Sequence, residues 1–220
     1  MAVDVEIYRG SQRFADRAPG RMTWHTLSFG ASYDPARIAI GPMVCHDEHL
    51  LAAGAGFETH HHADVDIVTW VVSGALRHTD SLGGSSVLGP GTVGVLRAGA
   101  GVDHSEIAAA PQTRFVQAWL SSEATGVEYA ATPVGPVADS FTEIVRLGGA
   151  ALSVARLEAG QTVTAPDGEL RHLFVATGGL LRNSLAEPLA AGDAYLVRGA
   201  GEVTVAAAVP SELVLWQLPA

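Results

Sequence analysis

The residues best suited to chemistry are histidines, nine in 220 residues, three of them adjacent. The three lie in Gly54-Ala55-Gly56-Phe57-Glu58-Thr59-His60-His61-His62-Ala63-Asp64-Val65-Asp66. On an extended strand, residues two apart share a face, so His60 and His62 project together while His61 turns away. Two imidazoles on one face are a bidentate start for a transition-metal site. A second same-face pair, His104 and Glu106, stands in Ala98-Gly99-Ala100-Gly101-Val102-Asp103-His104-Ser105-Glu106, where glycine turns let a strand re-enter the fold. Together they supply three neutral nitrogens and one carboxylate, which on an octahedrally inclined ion leave about two positions open. A lone buried His is more often a hydrogen-bonded core residue, and an isolated His-x-His pair is usually not a site. The second pair tips the reading to a metal.

Other candidates carry less. Asp66 shares parity with the His pair and reads equally as an acceptor orienting a ligand imidazole and as a solvated or turn-capping residue at a strand start. Trp24, Phe29 and Phe57 read as core aromatics, and His25 as a packed, hydrogen-bonded residue. His46, His49 and His78 sit near turns and need no function. Ser105 faces away from His104 and has no base partner, so it is no nucleophile. Cys45, the single cysteine, excludes an internal disulfide and reads as a small buried hydrophobe.

These side chains need strands to hold them. Short β-rich runs closed by Gly, Pro or Asp recur: ARIAIGPMV, DIVTWVVSG, SSVLGPGTVGVLRAG and RFVQAWL. The rhythm predicts antiparallel sheets folded as a sandwich or barrel. Residues 130–140 (AATPVGPVADS) read as a linker. After it the rhythm resumes, and the halves echo each other: VVSGALRHTD with FVATGGLLRN, and LGPGTVGVLRAGAG with LAAGDAYLVRGAGE. We read an internal duplication in which the second half has one histidine, His172.

The formal net charge of -10 and the lack of a Lys/Arg cluster argue against direct nucleic-acid binding. The N-terminus lacks the basic start and apolar run of a signal peptide, and no run approaches the roughly 18–20 apolar residues of a membrane span. A cytoplasmic protein is expected.

Gly54, His60-x-His62 and Asp66 resemble the first motif of cupin barrels, and Pro90-Gly91 leading to His104 resembles the second. More specifically, WHTLSF (24–29), Tyr33-Asp34-Pro35, GFETHHHADVDIVTWVVSG, RHTDSLG (77–83) and AGAGVDHSE are similar to the pirin family, over roughly residues 20–120. The resemblance implies an all-β bicupin of two tandem jelly-roll barrels: residues 1–130 as a metal-binding barrel and 140–220 as a metal-free one. It implies one metal on His60, His62, His104 and Glu106, usually iron as Fe(II), although Zn, Mn, Ni, Co and Cu suit the same donors. Some pirins cleave flavonols such as quercetin, so the first functional expectation is a dioxygenase whose partners are a small enol-type molecule and dioxygen, with Glu106 accepting the hydroxyl proton. The alternative is a non-catalytic metal or redox sensor that binds a protein partner, and a weaker third is a cupin isomerase. Two departures stand out. His61 replaces the usual Pro, and Ala63 replaces a usual basic residue, which changes how an anion meets the pocket mouth.

Overall fold

The structure, a computed structural model, describes residues 3–135, 139–182 and 187–220. Among these residues it is all-β: the helical content is one 3-10 turn, Gly10–Gln12, and no helix is long and apolar enough to cross a membrane. The chain divides into two compact units, Phe14–Gly135 and Met1–Arg13 with Pro136–Ala220.

The first strand, β1 (Asp4–Tyr8), belongs to the second unit. The Phe14–Gly135 unit holds eleven strands in two sheets. One sheet runs in the order β12 (Glu128–Pro133), β9 (Thr92–Arg97), β6 (Val65–Ser73), β11 (Thr113–Ser121), β4 (Met43–Leu51), β3 (Arg21–His25) and β2 (Phe14–Ala18). The other is β5 (Gly56–His62), β10 (Val102–Ala108), β7 (Leu76–Asp80) and β8 (Ser85–Leu88). Strict alternation decides which residues turn inward. On β10, Val102, His104, Glu106 and Ala108 are buried; on β7, Leu76, His78 and Asp80 are. An apolar cluster of Leu51, Val71, Leu76, Leu88, Ala108 and Phe115 lies under one end of the unit. Each large member contributes roughly 1.5–3 kcal/mol by burial.

The β5–β10 pairing carries the irregularity that matters. His62 pairs with Val102 and His60 with His104, but the next register pair is Phe57 with Glu106. Strand β5 therefore uses one extra residue opposite Ser105, a bulge of the kind found beside functional sites. Just past it, a Cβ on Gly56 would sit 2.1 Å from the Glu106 carbonyl oxygen, so only glycine allows this approach.

The second unit is one sheet in the order β1, β18 (Ala194–Arg198), β16 (Leu170–Leu180), β19 (Val203–Leu218), β14 (Ala150–Leu157) and β13 (Thr142–Leu147). Strand β15 (Thr162–Ala165) adds to β19, and β17 (Leu189–Ala190) to β16. Its apolar core gathers around Leu173, Val175, Tyr195, Val197, Leu213 and Leu215. The expected echo has a backbone counterpart: Gly91, Gly99 and Gly101 before and after β9 adopt positive φ, as do Gly192, Gly199 and Gly201 around β18.

Two expected boundaries shift. Residues 3–13 group with the second unit, not with the first barrel as the 1–130 reading has it. The β1 strand pairs with β18 from Asp4–Arg198 to Tyr8–Ala194, and Asp193 then receives Arg9 Nη1 at 2.9 Å and the Gly10 amide at 2.7 Å. An open sheet edge is covered by whichever strand is in reach, and here it is the N-terminal one. Of the expected linker, residues 130–133 are in β12 and pair with β9, while 136–138 lie outside the described residues.

A Gly56→Ala substitution is expected to destabilise the protein by roughly 1–3 kcal/mol by forcing β5 off β10. Denaturant unfolding measures it, and an unchanged midpoint would mean that the bulge tolerates a side chain.

Candidate metal centre

Each ligand candidate is placed by a strand face. Direct pairing of His60 with His104 puts His60 and His62 of β5 on the same face as His104 of the adjacent β10. The ring centroids are 4.8 Å apart for His60–His62, 4.5 Å for His60–His104 and 5.1 Å for His62–His104. One donor atom from each of the three lies within 4.8 Å of the others. Glu106 is brought to His104 in a second group of the same spacing, whose third member is His78. The four predicted residues thus fall into two groups that overlap at His104. Both lie in the Phe14–Gly135 unit.

The hydrogen bonds fix which nitrogen is free. His60 Nδ1 donates to the Glu58 carbonyl at 2.7 Å, so its Nε2 carries the lone pair. His104 Nε2 is buried and has no hydrogen-bond partner, an arrangement that a buried polar atom seldom tolerates without an ion or ligand. On its other side His104 Nδ1 makes a long 3.5 Å contact with His78 Nδ1, and His78 Nε2 donates to Asp80 Oδ2 at 3.0 Å. Asp80 itself is locked in a turn by the amides of Leu82 and Gly84, at 2.9 and 3.1 Å. The sequence Asp80–His78–His104 orders the protons so that the outward nitrogen of His104 is bare, the usual way in which a partner orients a ligating imidazole. Tyr129 stacks flat on His78, centroids 3.6 Å apart.

Glu106 is 4% exposed and both of its oxygens accept from Gln117 Nε2, at 3.1 and 2.9 Å, with Thr69 Oγ1 at 3.4 Å from one of them. Gln117 Oε1 in turn accepts from the Trp119 indole at 2.8 Å. Electrostatics suit a cation. Burial, and then the neighbouring rings of His60 and His61, lower the His62 pKa to about 4. Burial with His60, His62 and His78 lowers that of His104 to about 3. Both rings are neutral at pH 7, with lone pairs available. Burial pushes the Glu106 carboxyl up to about 7 even though Gln117 and Thr69 bond its charged form. Three nitrogens and an oxygen, one nitrogen orphaned and the carboxylate costly to ionise alone, fit a single divalent ion.

Beside these donors is a cavity of about 250 Å³, whose walls include His25, Phe29, Phe57, His60, Glu106 and Trp119.

Three comparisons bear on this arrangement. A sequence model of the pirin family matches residues 8–120. A Mycobacterium tuberculosis protein, provisionally named a quercetin 2,3-dioxygenase, is 36% identical over all of this chain and 97% of its own length. The chain belongs to the pirin family. An Escherichia coli protein named quercetin 2,3-dioxygenase is 33% identical over 48% of this chain and 46% of its own length. Among solved structures, the E. coli bacterial pirin YhhW in complex with nickel(II) matches with a TM-score of 0.89 over 98% of this chain and 99% of that one, at 22% identity. The two units are accordingly the paired cupin folds of a pirin.

Against the pirin pattern, the other candidates sort as follows. His61 faces outward and pairs with Asp103 at 2.9 Å, both exposed. His25 is buried and bonded, as its sequence suggests. Phe29 and Phe57 are not simple core aromatics but line the cavity, whereas Trp24 lines a separate surface groove. Asp66 is buried, with Ser122 bonding its carboxyl and the Arg97 charge nearby. Cys45 is buried, and its thiol is pushed up first by burial and then by Asp47. Sequence reasoning missed His78, Asp80, Gln117 and Trp119. His78-x-Asp80 and Gln117-x-Trp119 are same-face pairs with the very spacing that singled out His60 and His62, and that spacing was their available signal.

Because the folded pKa of Glu106 lies above its unfolded value, its stabilising contribution is present at acid pH and is lost as pH rises through about 7. In metal-free protein, Glu106→Gln is therefore expected to gain on wild type between about pH 5 and pH 8 by on the order of 2–3 kcal/mol. Chemical denaturation across that range tests this, and a stability gap that stays flat contradicts it.

Proposed function

We propose that this pirin holds one divalent transition metal, Fe(II) in its working form, on His60, His62, His104 and Glu106, and uses it to oxygenate enol-type small molecules of the flavonol class. The observation that carries the reading is the buried, partnerless Nε2 of His104, set against the His60 and His62 rings, with His60 and Glu106 lining the adjoining cavity. The dioxygenase names of the M. tuberculosis and E. coli relatives and the nickel complex of YhhW support the same reading. A divalent ion held by these residues would supply Lewis acidity and a path for electrons between an enolate and dioxygen.

The chain's own residues do the rest. His60 is held by Glu58, and His104 by His78 and Asp80, so neither ring needs to reorient when a ligand arrives. Glu106 is held on the metal side by the hydrogen bonds it accepts from Gln117 and Thr69. Phe29, Phe57 and Trp119 give a planar substrate an apolar slot and keep water from the reacting oxygens.

Elemental analysis of protein purified without a His tag is expected to find one metal per chain in wild type and at least tenfold less in His60→Ala or His104→Ala. Full metal content in His104→Ala would remove the assigned centre. Oxygen uptake with a panel of flavonols and simpler enols is expected with the metal-loaded protein. No uptake with Fe, Ni, Mn, Co or Cu would leave a metal-binding pirin without oxygenase activity.

A further inference from the structure

On the wall of the cavity away from the β5 histidines, His25 and Asp47 face each other across the β3–β4 pairing. His25 Nδ1 and Asp47 Oδ2 are 2.8 Å apart, both residues are buried, and both line the cavity. A carboxylate only accepts, so the proton sits on Nδ1 and the Nε2 of the neutral ring is a bare lone pair. Among the described residues that nitrogen has no hydrogen-bond partner. The ring is also pinned, stacked on Phe29 with centroids 5.1 Å apart and planes 10° from parallel. Phe29 meets the edge of Trp119 at 5.5 Å, and Trp119 meets His62 at 4.6 Å. A continuous wall of rings therefore runs from the metal candidates to His25, a slot that suits a flat aromatic ligand.

Nucleophile-activating bases share this construction: an imidazole whose tautomer is set by a carboxylate behind it and whose other nitrogen faces the reactant. Glu106 is less free for that task, since both of its oxygens already accept from Gln117 and one of them from Thr69. We propose that His25, backed by Asp47, is the base that takes the enolic proton of the incoming substrate. The inference rests on the enol-oxygenase reading and names the residue that activates the substrate. In the step the substrate O–H bond breaks and an N–H bond forms at His25 Nε2. The electron pair stays on the substrate oxygen, and the Asp47 carboxylate holds the imidazolium that results. No oxidant is consumed.

The test is anaerobic stopped-flow mixing of the full-length, nickel(II)-loaded protein with flavonols, following the absorption band of the deprotonated ligand. His25→Gln is expected to slow the appearance of the band roughly 100-fold, with nickel content unchanged. Asp47→Asn keeps the volume and releases the tautomer; it is expected to slow the band as well, and it decides the matter if His25→Gln does not fold. Unchanged rates in folded variants overturn the role of His25 and return the proton to Glu106 while the oxygenase reading stands. No band with wild-type protein and any flavonol overturns the flavonol reading itself, and this inference with it.

Discussion

Three imidazole rings with centroids 4.5–5.1 Å apart repel one another as soon as two are protonated, and burial strengthens the penalty. The fold keeps His62 and His104 neutral and leaves the lone pair of His104 Nε2 with nothing to bond. An unsatisfied buried polar atom costs roughly 1–3 kcal/mol. Beside it, Glu106 resists ionisation in the same dry surroundings. Both defects are relieved together by a cation, which accepts the nitrogen lone pairs and neutralises the carboxylate. Functional sites are where a fold departs from its own packing rules, and here the departure has a definite sign.

What holds the rings in this position is the central place of β10 in the four-stranded sheet. Its inward face presents His104 and Glu106, flanked on one side by β5 with His60 and His62 and on the other by β7 with His78 and Asp80. Direct pairing of His60 with His104 brings the candidate histidines alongside, and the bare Cα of Gly56 keeps β5 close to β10 at Glu106. Strand β11 of the larger sheet contributes Gln117, which clamps the Glu106 carboxylate. Tautomers are set in the same way throughout, by Glu58 for His60, by Asp80 through His78 for His104, and by Asp47 for His25. Each is a backbone or carboxylate acceptor that decides which nitrogen stays free.

Much of this was legible because the strand period is two. That period brought out His60, His62, His104 and Glu106 and turned His61 and Ser105 away. The same period holds for His78 and Asp80, but His78 reads as a residue near a turn, since nothing local says that β7 pairs with β10. The pairing of Glu106 with His78, and the bond from Gln117, follow from register between strands distant in sequence. The same limit explains the N-terminus. Asp4–Tyr8 forms a strand, and only the open edge beside β18 shows which unit it completes.

The chain's composition, its turn-punctuated strands and its two same-face pairs determined by themselves an all-β, duplicated fold with one histidine-rich half, because alternation and turn chemistry are local. Tertiary structure decided how the four donors group, which tautomer each histidine takes, and that His25 meets Asp47 at the cavity wall. Those outcomes depend on distances across sheets, and a hydrogen bond acts over about 3 Å whatever the separation of its partners along the chain.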